Sequence, residues 1–231
     1  MSKLKAKDPA ATEPRKPQIV IYGPPGVGKT WFSLSFTGPV YYIDTEGGAS
    51  RAHYMDRLKA GGGAYLGPED GSNDFETIIG QVKALATEKH DFKTVVIDSI
   101  TKPFISAIAS EGERLGDKNA FGADKKPAVQ SMRRLIAAVH RLDMNVIFVA
   151  HEKSEWGQDA KGDRVEIGKI ADTYEKLIYE PVPHNLIKVL FDRMRDKTVI
   201  CSAASKAYAM TGWRCGWAIA PKEVIAQCNV L

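Results

Sequence analysis

Eight residues near the start of the chain constrain its fold more than any other feature. Gly23-Pro24-Pro25-Gly26-Val27-Gly28-Lys29-Thr30 follows a short β-rich run, QIVIY at 18–22, and precedes an apolar stretch predicted to be helical through WFSLSF at 31–36. The octet fits G-x-x-x-x-G-K-[ST] at every fixed position, in the strand–loop–helix context that a phosphate-binding loop requires. Glycines let the backbone curl until successive N–H groups point inward at phosphate oxygens, and a following helix adds its positive end. Lys29 is expected to reach the β- and γ-phosphates. Thr30 is expected to offer its hydroxyl to Mg²⁺. Gly23, Pro24, Pro25, Gly26, Val27, Gly28, Lys29 and Thr30 are therefore the expected nucleotide-binding residues, with ATP and Mg²⁺ as the cofactors.

Downstream the chain alternates strand and helix. PVYYID (39–44), KTVVID (93–98) and NVIFVA (145–150) read as strands, and the last two are nearly all apolar, as strands covered on both faces are. Residues 49–60, FETIIGQVKALATEKH (75–90), a segment opened by Pro103, and PAVQSMRRLIAAVHRL (127–142) read as helices. GGGAYLGPEDGSN (61–73) reads as a loop around a short strand, and residues 152–168 as a polar, mobile segment. Such alternation predicts an α/β fold with a mostly parallel sheet and helices on both faces. At 231 residues and 44% hydrophobic, the chain can bury a substantial core, which excludes a wholly disordered or fibrous protein.

No apolar run approaches the roughly 18 residues that cross a bilayer, and the first 17 residues have no apolar block of the secretory kind. A cytoplasmic protein without a membrane partner is expected. Residues 1–17, with Lys3, Lys5, Lys7, Arg15 and Lys16 against Asp8 and Glu13, read as a basic flexible tail. The net charge of +4 permits a nucleic-acid partner without requiring one. Three cysteines, Cys201, Cys215 and Cys228, fit no zinc or CxxC spacing, so reduced thiols are expected.

A magnesium site needs a carboxylate at the tip of a neighbouring strand. Asp98, an acid after three apolar strand positions, is the candidate; its alternative role is to cap the next turn. Ser99 follows it, so the catalytic base must come from elsewhere. Glu46 in YYIDTEGG lies past the second strand, at the carboxyl edge where open α/β sheets place ligands, and is the expected base. Asp44 is the competitor, and the alternative is that both acids only cap a turn. His151, directly after NVIFVA, is placed to sense the γ-phosphate or to bond a loop carbonyl.

These residues carry a resemblance. IYGPPGVGKT, YYIDTEGG, TVVIDSIT and MNVIFVAHEK, within residues 18 to about 175, resemble the RecA-like P-loop ATPases of phages, of the Sak single-strand-annealing or recombination type. Members of that class place the catalytic glutamate after the second strand and a polar sensor after the fourth, which implies Glu46 and His151 as catalytic residues beside Lys29. The resemblance implies ATP-driven work on single-stranded DNA in recombination. The residues support DNA less directly. The loop at 116–126 nets +1 and carries Phe121, whereas 152–168 nets −2, three basic against five acidic, and carries Trp156. Single-strand binders combine aromatic platforms with a basic groove; the platforms are present and the groove is not evident.

The C-terminus resembles another family. SKAYAMTGWRCGWAIAPKEVIA (205–226) is similar to the cofactor-lysine segment of class I, aspartate-type aminotransferases. The resemblance implies that Lys206 corresponds to the Schiff-base lysine, Arg214 to the phosphate-binding arginine, and Tyr174 to the tyrosine that touches the cofactor ring. The aspartate that pairs with the pyridinium nitrogen in that family falls at Ala171, and most of the cofactor-binding region is missing. Pyridoxal phosphate is therefore not expected. The chain reads as a chimera: tail 1–17, ATPase core 18–172, and aminotransferase-like fragment 173–231, with a crossover between Asp172 and Tyr179. KTVICSA (197–203) and WRCGWAIA (213–220) are β-rich and are expected to pair as a hairpin on the sheet edge.

The reading is an ATP-binding, Mg²⁺-dependent P-loop ATPase. A homo-oligomer is compatible with the class, but the foreign C-terminus is expected to disrupt it and impair hydrolysis. Arg193, Arg195 and Lys197 are basic and nearby in sequence, but lie in the replaced stretch. The rivals are a small-molecule P-loop kinase with Lys153, Lys161 and Arg164 as a lid, an inactive chimera, and a pyridoxal enzyme.

Overall fold

The computed structural model describes residues 16–120, 122–158, 162–174, 177, 184–188, 200–203 and 216–219. Its elements run β1 (Gln18–Gly23), α1 (Lys29–Ser33), β2 (Val40–Asp44), α2 (Ala52–Ala60), β3 (Ala64–Leu66), α3 (Phe75–Thr87), β4 (Thr94–Asp98), α4 (Thr101–Leu115), α5 (Lys125–Val139), β5 (Asn145–Gln158), β6 (Arg164–Ala171), β7 (His184–Lys188), β8 (Ile200–Ala203) and β9 (Gly216–Ile219). The main sheet has the order β3-β2-β4-β5-β1-β7, with β6 pairing β5 off this path. The pairs β1–β5, β1–β7, β2–β3, β2–β4 and β4–β5 are all parallel. The α/β fold expected from the alternation is the fold observed.

Strand periodicity divides the core into two layers. Val20, Ile43, Val95, Ile97, Val146 and Phe148 face the helices α3, α4 and α5, meeting Ile78, Val82, Met132, Leu135 and Val139. Their alternates Ile19, Ile21, Tyr42, Val96, Ile147 and Val149 face the other way, onto Leu34, Ala49 and Leu58. Burying both faces explains the unbroken apolar runs, each side chain contributing about 1.5–3 kcal/mol. Asp74 caps α3 by accepting from the Thr77 N–H at 2.9 Å.

Three expectations need correction. The segment 152–168 is not a loose polar loop: β5 runs on to Gln158 and returns antiparallel as β6. Antiparallel backbone pairing needs no apolar face, so charge alternation hid the strands. Cross-strand contacts replace a core there: Lys169 Nζ donates to Ser154 Oγ at 2.9 Å, and the Arg164 guanidinium lies 4.8 Å from the Trp156 ring. Helix α1 stops at Ser33 instead of continuing through Phe36. Ser33 and Ser35 turn their hydroxyls onto the carbonyls of Thr30 and Trp31, competing with the helical ladder. Finally, β8 and β9 do pair as a hairpin, but as a separate two-stranded sheet. The flank of β1 away from β5 is taken by β7 instead. No helix among the described residues is long and apolar enough to cross a membrane.

Candidate functional site

The parallel strands end together, and the candidate residues gather at that edge. Register pairs Asp44 with Asp98, Asp98 with Val149, and Gly23 with His151. One strand, β5, thus separates the phosphate-loop strand from the strand carrying Asp98. Gly26 and Gly28 take φ values of 79° and 88°, a left-handed backbone that side chains with a Cβ disfavour. Lys29 Nζ donates to the loop carbonyls of Gly23 at 2.9 Å and Pro24 at 2.8 Å, lying across the loop it serves. Partial burial lowers the Lys29 pKa, against the opposing pull of Asp98, Glu152 and Glu46.

Thr30 Oγ1 donates to Asp98 Oδ2 at 2.7 Å, although the two residues lie 68 positions apart. A hydroxyl and a carboxylate side by side are the hard oxygen donors that suit Mg²⁺, which keeps several waters and borrows its other ligands from phosphates. No group of three or more His, Cys, Asp or Glu that could by itself hold a metal ion occurs among the described residues, and this kind of site does not need one. Burial pushes the Asp98 carboxyl pKa up, while hydrogen bonds from Tyr42 and Thr30 pull it down.

The two acids after β2 have different surroundings. Asp44 is buried, and its carboxylate accepts from the N–H groups of Glu46, Gly47 and Ala49 at 3.0, 2.8 and 2.8 Å, and from the Tyr65 hydroxyl at 3.0 Å. It pins the turn. Glu46 projects from that turn with its side chain 35% exposed, so water reaches it. Glu46 Oε1 accepts from Ser99 Oγ at 2.5 Å and lies 3.1 Å from His151 Nε2. His151 and Glu46 are thus brought together, and the backbone N–H of His151 is held by Thr101 Oγ1 at 2.9 Å.

The hydrogen bond to Glu46 raises the His151 pKa above its ordinary 6.5, and the same bond lowers Glu46 below its ordinary 4.5. Stabilisation from the raised histidine is complete below 6.5 and fades as pH rises through its folded value. Stabilisation from the lowered carboxylate is complete above 4.5 and fades as pH falls through its folded value. The pair is therefore firmest between those two ordinary values. We predict that the His151 imidazole titrates, by NMR, above a free histidine and moves back down in Glu46→Gln; an unmoved midpoint would refute the contact.

Sequence reading missed six contributors. Ser99, directly after Asp98, reads in the sequence only as a position without a catalytic acid. Tyr42, Trp31 and the α2 residues His53, Tyr54 and Arg57 look like core or surface positions in the sequence. Yet Gly26, Gly28, Lys29, Thr30, Trp31, His53 and Tyr54 line a cavity of about 390 Å³. The Trp31 ring lies 6.3 Å from His53 and 6.2 Å from Tyr54, with the Arg57 guanidinium 4.3 Å from its centroid. Trp31, an aromatic directly after the phosphate loop, was the available signal. Phe121, Lys161, Arg193, Arg195, Lys197, Lys206 and Arg214 lie outside the described residues.

A phosphate loop, an acid-tipped strand two places away in the sheet and a glutamate after the second strand define a RecA-like P-loop domain. The family described as AAA domain, AAA_24, matches residues 15–209, and the chain belongs to that family. A crystal structure of the RadB recombinase is similar at a TM-score of 0.35 and 20% identity, covering 64% of this chain and 66% of that one; so distant a likeness carries no argument about activity. A short stretch matches aminotransferases. It is 41% identical over 60 residues to an aspartate aminotransferase of Streptomyces avermitilis, 26% of this chain and 15% of that protein. It is also 45% identical over 58 residues to a bifunctional aspartate and glutamate/aspartate-prephenate aminotransferase of Petunia hybrida, 25% of this chain and 12% of that one. The chain spans about 15% or less of the length of these two relatives. An aminotransferase-like segment is thus present in a chain whose AAA-domain match covers residues 15–209.

Proposed function

We propose that the chain binds ATP with Mg²⁺ at the loop 23–30 and hydrolyses it, in the service of single-stranded DNA recombination or annealing. The observation that carries the nucleotide reading is the 2.7 Å contact of Thr30 with Asp98 beside Lys29, which joins the phosphate loop to an acid from a distant strand. Thr30 and Asp98 would hold Mg²⁺, which supplies charge neutralisation at the phosphate oxygens. Lys29 exchanges its loop carbonyls for phosphate oxygens. Glu46 orients the attacking water and accepts its proton, with Ser99 and His151 fixing the Glu46 carboxylate from one side.

The aromatic cavity supports a nucleoside triphosphate over a bare polyphosphate. Base–aromatic stacking contributes about 1–3 kcal/mol. We expect Trp31→Ala to weaken ATP binding by roughly tenfold and to leave inorganic tripolyphosphate binding unchanged, read by calorimetry; equal losses for both ligands would remove the base from this cavity.

The DNA part of the proposal rests on the sequence resemblance and on the exposed Trp156 of the β5–β6 hairpin. The kinase alternative is less favoured, because Lys153 pairs with Asp172 at 3.2 Å and Arg164 lies over Trp156, which engages two of the three lid cations. ATP turnover with and without single-stranded DNA tests the reading. Stimulation supports it, whereas turnover that responds only to a small phosphate acceptor supports the kinase. Impaired hydrolysis from the replaced C-terminus, and the domain division at 172/173, belong to the same proposal.

A further inference from the structure

Tyr42 is fully buried in the core layer beneath the phosphate loop, where a phenylalanine would fill the same space without a polar atom to satisfy. A buried hydroxyl is unfavourable unless paired. Tyr42 pairs in register with Val96 of β4, so Asp98, two residues further on, is its diagonal cross-strand neighbour on the same face. The Tyr42 hydroxyl donates to Asp98 Oδ2 at 2.5 Å. That same oxygen accepts from Thr30. The phenol therefore ties β2, β4 and the end of the phosphate loop together at one carboxylate oxygen.

We infer that Tyr42 is a positioning residue for the Mg²⁺ site, holding the Asp98 carboxylate in place for the metal-bound nucleotide. The inference rests on the nucleotide reading above and deepens it. Thr30 serves two partners in that reading, Asp98 in the contact described here and the cation when nucleotide is bound. Once Thr30 turns to the cation, Tyr42 is the donor that stays on Asp98. Its placement follows from the β2–β4 register, and both residues lie on strands and not on the phosphate loop. The two described donors both fall on Oδ2.

The test is the affinity for ATP, measured by calorimetry in excess Mg²⁺ and again in EDTA, for wild type and Tyr42→Phe. Removal of a partner that orients a metal ligand typically lowers metal affinity about 10–100-fold. Tyr42→Phe is expected to keep the EDTA affinity and to lose the Mg²⁺-dependent gain by about that factor. Retained EDTA affinity also reports an intact phosphate loop. An unchanged Mg²⁺ gain would overturn the inference. Equal losses in both conditions would overturn it too, because Tyr42 would then be a core residue only. Wild type that binds ATP without any Mg²⁺ gain refutes the role of Tyr42 while leaving the loop a nucleotide site. Wild type that binds no ATP refutes the nucleotide reading itself.

Discussion

Lys29→Ala is expected to abolish ATP binding while the domain stays folded. The ammonium is the main side-chain charge facing the phosphate position, and it already bonds two loop carbonyls there. Hydrogen bonds to charged groups contribute about 1.5–3 kcal/mol each, so losing two weakens binding by roughly 10²-fold or more. Folding should survive, because Lys29 is partly exposed and takes no part in either core layer. Relief of a half-buried charge even favours the variant slightly. Unchanged ATP affinity in Lys29→Ala would remove the site from this loop.

Glu46→Gln separates binding from chemistry. Glutamine keeps the size of the side chain and can still accept from Ser99, but it cannot take a proton from water. Loss of a general base lowers turnover by about 10²–10⁴-fold. ATP affinity should stay near wild type, since the described contacts of Glu46 are with Ser99 and His151, outside the phosphate loop. Phosphate release in a single-turnover experiment reads this directly. Normal release would move the role away from Glu46. Asp44 is a poor heir, because its carboxylate is engaged by three backbone N–H groups and a tyrosine hydroxyl.

The phosphate loop was legible because its chemistry fixes residue types at fixed spacing, and Asp98 because an acid ending an apolar strand stands out. Glu46 and His151 were each legible as strand-tip residues. Their contact was not, since it depends on β4 lying between β2 and β5. Tyr42 was illegible for a different reason: a tyrosine within VYYID reads as core, and only the β2–β4 register shows where its hydroxyl ends. The β5–β6 hairpin was hidden by its charges. Strands exposed on both faces carry no hydrophobic alternation, so composition imitates a loop. The C-terminal aminotransferase-like segment was legible from an uninterrupted string, yet such a string specifies ancestry and not a working cofactor site.

The most direct test of the account is ATP binding and phosphate release followed on one sample of the wild-type chain, with Mg²⁺ and with EDTA. Saturable ATP binding is expected in both conditions, tighter with Mg²⁺, with phosphate release in Mg²⁺ alone. Absence of saturable binding, or phosphate release that persists at the same rate in EDTA, would contradict it.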